Sequence, residues 1–164
     1  MWIKWLFEAR KRYDLEILNY TVVKFFAMLN QIHHGSTLEA IERYQVEPYV
    51  MCADIYGMAP HTGRGGWTWY TGAAGWMYRL TVETLLGLQL EVDHLRIAPC
   101  VPADWDSCKV HYRYRETVYH ITIRRVGAAS GQVSRVRVDG SERPDLRIPL
   151  VDDRREHTVE VELG

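Results

Sequence analysis

Cysteine is scarce in this chain of 164 residues, which contains only three. Cys52, Cys100 and Cys108 are an odd number, and their spacing fits neither a zinc ribbon nor a disulfide framework. The sequence therefore argues against both kinds of site, and we expect free thiols.

The chain also lacks a long apolar run and an excess of charge of one sign. Charged residues interrupt every apolar segment, including the segment 1–13, so we expect neither a signal peptide nor direct membrane insertion. Twenty basic and 21 acidic residues give a formal net charge of −1, which disfavours nucleic-acid binding. We expect a cytoplasmic protein.

Apolar residues, in contrast, are plentiful, at 47% of the chain, with 12% aromatic residues. This composition provides enough apolar surface for a folded core and excludes a disordered chain. A length of 164 residues allows one compact domain or two small ones. A complete (β/α)8 barrel or double-ring helical barrel would need more, so the chain can contain only part of such an architecture.

The pattern of apolar residues changes near residue 94, where helical spacing gives way to alternation. We predict a helical segment over 1–94 and a β-rich segment over 95–164. The predicted helices are Leu15–Leu29 with an apolar face that includes Leu18, a short helix from a Ser36–Glu39 capping box to Arg43, Val46–Tyr56 with Pro48 in its first turn, and Trp76–Leu88.

Beyond His94, apolar and polar residues alternate as in half-buried antiparallel strands. The alternation covers 109–115, 119–124 and 159–163, and a further strand over Val133–Val138 ends in the turn dipeptide Asp139-Gly140. The fold class that follows is α+β, with the second segment forming part of a β-sandwich.

The segment 61–79 has an unusual composition for a core element. Six of the 12 glycines lie between Gly57 and Gly75, and five of the 19 aromatic residues lie between Trp67 and Tyr78. We interpret this segment as a shaped loop that meets a ligand. Trp67, Trp69 and Tyr70 can form a platform for a sugar ring, and the alternative is a buried aromatic cluster.

Thr71 and Gly72 immediately precede the predicted helix Trp76–Leu88. The amides of Gly72, Ala73 and Ala74, the helix dipole and the Thr71 hydroxyl would converge where an oxyanion such as phosphate can bind. The alternative is that Thr71 only caps its own helix.

Other polar residues give weaker signals. Glu47 and Asp54 are seven residues apart and would share one face of the predicted helix, either toward a saccharide or toward solvent. His33-His34 lacks a third ligand at a suitable spacing, so we predict no metal site. The glycines of 63–66 lack the spacing of a nucleotide-binding loop.

Several runs of this sequence match a known family. They are 29–37, 46–50, 53–56, 60–72, 74–79 and 95–102 with Trp105. Together they resemble the C-terminal end of glycoside hydrolase family 94, the cellobiose and chitobiose phosphorylases, and in particular the phosphorylase-like domain of cyclic β-1,2-glucan synthase. The resemblance covers roughly Tyr20 to Arg125, whereas residues 1 to about 18 look foreign to it and are interpreted as a replaced start.

The resemblance implies the last helices of an (α/α)6 barrel followed by a jelly-roll-like β-segment. It implies inverting phosphorolysis, in which an aspartic acid protonates the glycosidic oxygen while inorganic phosphate, the co-substrate, attacks the anomeric carbon. Thr71 and Gly72 would contact phosphate, and the sugar site would involve Glu47, Asp54, Trp67, Trp69 and Tyr70. No further cofactor is implied.

The catalytic aspartate of the family precedes the matched region, and no W-x-D-G-like segment occurs here. We therefore predict no catalytic residue in this chain, which would be a truncated piece bearing part of the phosphate and β-glucan or disaccharide site. Its partners would be the missing barrel portion or a second copy. The alternative is a noncatalytic carbohydrate-binding or interaction module. Inner-membrane association of the longer family protein is implied by the resemblance alone.

Overall fold

The computed structural model describes residues 15–102, 104–126 and 131–164, with side chains of the first helix described from Tyr20 onward. Most of the replaced start that we predicted, and the side chain of Leu18, lie outside the described residues. Helices dominate the first part of the described residues and strands the second part, so the chain has an α+β fold.

Helix α1 spans Leu15–Leu29, as the spacing of its apolar residues predicted. Val22 is fully buried against Leu80 and Cys100, and this small core holds the helix in place. None of the helices in the described ranges is long and apolar enough to cross a membrane.

Two short helices follow, α2 over Gln31–His34 and α3 over Leu38–Tyr44. Thr37 caps α3, because its hydroxyl oxygen accepts the Ala40 N–H at 3.1 Å. The predicted capping box from Ser36 is therefore wrong by one residue. The Ser36 hydroxyl instead donates to the His33 carbonyl at 2.8 Å, which closes the end of α2.

The predicted helix Val46–Tyr56 is wrong. Residues 45–53 form an irregular loop, and strand β1, Asp54–Ile55, pairs antiparallel with β2, Gly65–Gly66. A proline at position 48 disfavours helical geometry at Glu47, and the pairing with distant glycines is invisible to local periodicity. Glu47 and Asp54 therefore do not share a helix face.

The predicted helix Trp76–Leu88 is shifted at both ends. Helix α4 spans Thr71–Arg79 and continues as a π-helical segment over Leu80–Leu85. Leu88 already opens strand β3, Leu88–Glu91. Between them Gly87 has φ +70°, and a Cβ there would lie 2.1 Å from the carbonyl carbon of Ala98. This close approach of two backbones requires glycine at the junction.

The remaining strands form two sheets. Strand β4 (His94–Ile97) pairs with β3 and with β9 (Arg147–Pro149). The larger sheet has the order β5-β6-β10-β7-β8, where β5 is Ser107–Tyr114, β6 Thr117–Arg125, β7 Val133–Val138, β8 Ser141–Glu142 and β10 Glu156–Leu163. Strand β10 runs parallel to β6 and antiparallel to β7.

The alternation predicted for these strands is confirmed by their burial. Inward-facing residues of both sheets share one apolar core, to which Leu95 and Ile148 contribute from the smaller sheet and Ile121, Val136 and Val159 from the larger. The predicted turn after β7 is also present, with positive φ at Asp139 and Gly140. The boundary predicted near residue 94 falls between β3 and β4, which pair as a hairpin.

A nearly buried histidine joins two loops of the larger sheet. His157 Nδ1 contacts Asp139 Oδ2 at 2.6 Å, and its Nε2 contacts Asp153 Oδ1 at 3.2 Å. The ring stacks on Tyr119 with 5.0 Å between centroids. The hydrogen bond that His157 donates to Asp139 raises the pKa of His157, although burial alone would lower it, and lowers the pKa of Asp139.

Candidate functional site

A tight hairpin supports the glycine- and tryptophan-rich loop. The Ala53 N–H reaches the Gly66 and Trp67 carbonyls at 3.2 and 3.1 Å, which extends the short β1–β2 pairing. Gly65 is buried, and a Cβ there would lie 2.6 Å from Val46 Cγ2. The glycines thus let the hairpin backbone lie flat on the loop beneath it.

Tyr44 forms the floor under this hairpin. Its side chain is buried, and a Cβ on Gly65 would lie 3.0 Å from its ring. The hydroxyl donates to Cys52 Sγ at 3.2 Å, and the His34 ring stacks on the tyrosine with 4.5 Å between centroids. Burial, with the Cys52 contact, raises the pKa of Tyr44, so the phenol stays neutral and serves packing.

Both tryptophans of the loop adopt left-handed backbone conformations. Trp67 has φ 49° and Trp69 has φ 61°, which is uncommon for bulky residues. Their side chains are nevertheless 76% and 68% exposed. The alternative of a buried aromatic cluster is therefore excluded for these two rings. Strained backbone that presents apolar rings to solvent is typical of a binding surface.

Polar and aromatic neighbours orient the two indoles. The Trp69 indole N–H donates to Glu47 Oε1 at 3.4 Å, and the Tyr49 ring meets Trp69 edge-on with 6.4 Å between centroids. Trp67 lies against Tyr70 with 5.5 Å between centroids. The structure thus brings Glu47 to the aromatic loop by a route other than the helix that the sequence suggested.

Asp54 lies on the hairpin, at the strand position paired with Gly66. A Cβ on Gly66 would lie 2.5 Å from Asp54 Oδ1 and 3.1 Å from the Tyr56 hydroxyl. The carboxylate and the phenol therefore both lie over Gly66, immediately before Trp67 in the chain.

At the start of α4, two of the amide groups that we predicted for anion binding already have a partner. Tyr70 is the N-cap residue, and its carbonyl already accepts the Ala73 and Ala74 N–H groups at 3.1 and 3.3 Å. Those two amides are thus not available to a ligand in the way we expected. The N-cap residue makes no side-chain capping bond, and Thr71 lies inside the helix as its first residue, so Thr71 is not the cap.

Gly72 allows the aromatic platform to reach this helix start. A Cβ at position 72 would lie 3.1 Å from Tyr70 Cε1, closer than an ordinary van der Waals contact. Tyr70 therefore folds back over Gly72 while its other side meets Trp67. The proposed sugar platform and the proposed phosphate contact are neighbours in space.

Two residues of this surface were missed by sequence reasoning as site residues, Tyr49 and Tyr56. Both are exposed, at 73% and 45%. Tyr49 contacts Trp69, and the Tyr56 hydroxyl lies over Gly66, as the Asp54 carboxylate does. Their signal in the sequence is proximity to Glu47 and Asp54, each two residues away.

His33 and His34 act on the backbone of α1. His33 Nδ1 donates to the Ala27 carbonyl at 3.2 Å, and His34 Nε2 donates to the Met28 carbonyl at 2.7 Å. They satisfy carbonyls in the last turn of a helix, which lack partners within it. Within the described ranges, no three metal-ligating side chains converge.

The segment that carries this surface has recognisable relatives. Residues 20–87 match the model of the glycosyl hydrolase 94 superfamily, catalytic domain. Through this segment the chain belongs to glycoside hydrolase family 94. The match includes α1 from Tyr20 onward, the hairpin, the aromatic loop and α4, and it confirms the resemblance seen in the sequence.

Individual family 94 relatives extend the similarity into the β-rich part. The chain is 40% identical over 124 residues to cyclic β-(1,2)-glucan synthase NdvB of Rhizobium meliloti (strain 1021), which covers 76% of this chain and 4% of that protein. It is 36% identical over 118 residues to solabiose phosphorylase of Paenibacillus borealis, covering 71% of this chain and 15% of the relative. It is 30% identical over 143 residues to N,N'-diacetylchitobiose phosphorylase of Vibrio proteolyticus, covering 87% and 17%.

Proposed function

We propose that the chain is the C-terminal part of a family 94 carbohydrate-active enzyme, of the inverting glycoside phosphorylase or cyclic β-1,2-glucan synthase type. Residues 15–94 would contribute the last helices of an (α/α)6 barrel, and 95–164 a jelly-roll-like layer. Support comes from the family match and from the small share, 4 to 17%, that the chain covers of three relatives.

The observation that carries this proposal is the exposed indole pair at Trp67 and Trp69. Their rings offer flat apolar faces, and the Glu47 carboxylate that orients Trp69 has further lone pairs for sugar hydroxyl groups. With Tyr70 and Asp54, these groups would bind a β-glucan or glucose disaccharide by stacking and hydrogen bonding. Their polar atoms fix orientation, and the rings provide contact area.

Thr71 and Gly72 would supply the phosphate contact. The Thr71 hydroxyl and the first amide groups of α4 lie at the positive end of the helix dipole, beside the aromatic platform. Since Tyr70 already engages the next two amides, the contribution would come from the Thr71 hydroxyl and the Gly72 N–H rather than from three amides.

The proton donor would come from a part of the longer family proteins that this chain does not include. Positioned general acid catalysis contributes about 10²- to 10⁴-fold to rate, so the chain by itself would not turn over glucosides measurably. A noncatalytic carbohydrate-binding module is the second candidate, and the solvent-exposed aromatic platform supports it equally.

Calorimetric titration of the full chain with β-1,2-linked gluco-oligosaccharides tests the sugar site. Trp69→Ala should weaken binding about tenfold, the change that ~1.4 kcal/mol produces. Trp105→Ala is the matched control, because Trp105 is also partly exposed, at 41%, but lies outside the loop. Equal affinities for wild type and Trp69→Ala would overturn the platform.

The phosphate and catalytic parts of the proposal have separate readouts. Inorganic phosphate should slow amide exchange at Gly72 in the wild-type chain but not in Thr71→Val. Unchanged exchange would remove Thr71 and Gly72 from the proposed site.

Release of glucose 1-phosphate from β-1,2-glucan by the chain alone would contradict a proton donor located elsewhere. The noncatalytic carbohydrate-binding module would be favoured by three results together. The chain would bind oligosaccharide, it would stay monomeric, and a separately supplied barrel segment would not restore activity.

A further inference from the structure

Two histidines face each other on the outer surface of the larger sheet. His111 of β5 and His120 of β6 are directly paired in the antiparallel register, and their Nδ1 atoms are 2.7 Å apart. The rings are nearly perpendicular, with centroids 4.8 Å apart. This surface is on the β-rich segment, outside residues 47–72 of the proposed sugar and phosphate site.

The backbone fixes this pair firmly. Tyr119 and Ile121, on either side of His120, are each 1% exposed in the shared core. A slip of one residue in the register would expose both of them, so the pairing of His111 with His120 is strongly specified. His111 itself is exposed, which leaves one side of the pair open to water.

The hydrogen bonds define the protons on both rings. His120 Nε2 lies 3.0 Å from Glu156 Oε2, and a carboxylate can only accept, so the Nε2 of His120 carries a proton. An Nδ1···Nδ1 hydrogen bond needs one donor and one acceptor. In the neutral pair, His120 therefore presents a lone pair at Nδ1, and His111 Nδ1 donates its proton toward it.

We propose that this pair is a binding site for a divalent transition-metal ion, which takes the place of the proton shared between the two Nδ1 atoms. Imidazole nitrogens bind such ions at about 2.0–2.1 Å, so the rings need to separate only slightly. On binding, the proton of His111 moves from Nδ1 to Nε2, so the neutral pair releases no net proton. Each imidazole then donates one lone pair to the ion.

Glu156 gives this arrangement a feature that a chance pair of histidines lacks. A carboxylate that accepts the second N–H of a ligating histidine fixes its tautomer and increases its basicity. With two protein ligands, water would complete the coordination. Lys109 and Arg113 lie two residues to either side of His111 on the same face and oppose a cation, while Arg113 is engaged by Glu116. We therefore expect selective but moderate affinity.

Titration of the full chain with Cu²⁺, Ni²⁺, Zn²⁺ and Mg²⁺ tests the site. One equivalent of Cu²⁺ should bind most tightly, Ni²⁺ and Zn²⁺ more weakly, and Mg²⁺ not detectably. The electron paramagnetic resonance spectrum of the Cu²⁺ complex should show coupling to two imidazole nitrogens. A spectrum with one nitrogen or none in the wild-type chain would overturn the proposal without any variant.

Substitutions then locate the two nitrogens. His111→Thr and His120→Thr keep residues that favour strands and should each abolish the two-nitrogen signal. Glu156→Gln should weaken Cu²⁺ binding about tenfold or more while retaining both ligands. His94→Thr is the matched control, because His94 also contacts a carboxylate, Asp93 at 2.7 Å, but has no facing imidazole. Binding that survives His120→Thr or is lost in His94→Thr would contradict the site.

Discussion

The helical region, residues 15–87, and the sheet region, residues 88–164, differ in how far their large apolar side chains are buried. In the sheet region, most inward positions are buried in one core, and half-buried side chains of β5 pack against it. In the helical region many large side chains are exposed, including those of Tyr20, Met28, Ile32, Leu38, Tyr49, Met58, Trp67, Trp69 and Tyr78. The sheet region also exposes large apolar side chains, but fewer of them: Leu90, Val92, Trp105, Val126 and Val151.

This difference indicates which contacts stabilise each region. The sheet region owes its stability to its own core, whose side chains fill the space between two sheets. The helical region is held by a small core around Val22, by caps and by the contacts beneath Gly65. It thereby keeps aromatic surface available for contact with a ligand or a further protein surface.

The largest expected effect comes from a substitution that disrupts the junction between the two regions. Gly87→Ala would place a Cβ 2.1 Å from the Ala98 carbonyl carbon at a positive φ, so the free energy of unfolding should fall by about 3 kcal/mol or more. Urea unfolding measures it. Gly140→Ala is the matched control, because Gly140 also has a positive φ but no atom within 4 Å of the added Cβ.

The control separates backbone strain from collision. Gly140→Ala should cost only about 1–2 kcal/mol, the penalty of the left-handed conformation. If the two variants lost the same stability, the backbone at Ala98 would be free to move away, and the junction would not be a tight contact.

A smaller effect sharpens the comparison inside the helical region. Thr37→Ala removes the hydroxyl that accepts the Ala40 N–H and should cost about 1 kcal/mol. Because α3 lies outside the sheet core, native-state amide exchange should accelerate at Ala40 and Ile41 while β6 and β10 keep their protection. Uniform acceleration across the sheet strands would show that both regions open as one unit. Ser36→Ala serves as the neighbouring control.

The smallest expected effect concerns pH and the sheet region alone. Because the pKa of His157 is raised, its contact with Asp139 stabilises the folded state fully below the ordinary histidine pKa of 6.5. This contribution is lost as the pH rises through the raised pKa. Because the pKa of Asp139 is lowered, the same contact stabilises the folded state fully above the ordinary aspartate pKa of 3.8. This contribution is lost as the pH falls through the lowered pKa. The contribution is therefore greatest between these two ordinary values.

Urea midpoints of the wild-type chain and of His157→Gln at about pH 5 and about pH 9 measure this contribution. The wild-type chain should lose more stability than the variant between the two pH values. A variant whose pH dependence equals that of the wild type would show that the Asp139 contact does not stabilise the folded state.

Sequence patterns predicted the regular elements better than the site. The helix Leu15–Leu29 and the strands around Val110, Ile121 and Val159 follow from the spacing of the side chains that face a core, a small one for the helix and the shared sheet core for the strands. The segment 46–56 was wrongly assigned to a helix, because its conformation depends on pairing with Gly65 and Gly66, which local periodicity does not report.

The candidate site shows the same limit. Composition alone indicated the aromatic loop, but the left-handed backbone of Trp67 and Trp69 and the contact of Glu47 with Trp69 come from tertiary structure. Likewise, only the register between β5 and β6 brings His111 opposite His120. Residue types predicted the chemistry available, whereas long-range pairing decided which groups meet.

The central position of β10 has a consequence for synthesis of the protein. This strand joins β6 to β7, so neither side of the larger sheet has its neighbour until residues 156–163 leave the ribosome. A nascent chain would carry two separate hairpins with open edges, and such edges favour association between chains. Translation that stalls before Glu156 should therefore yield chains that aggregate, even though most strands have already been made.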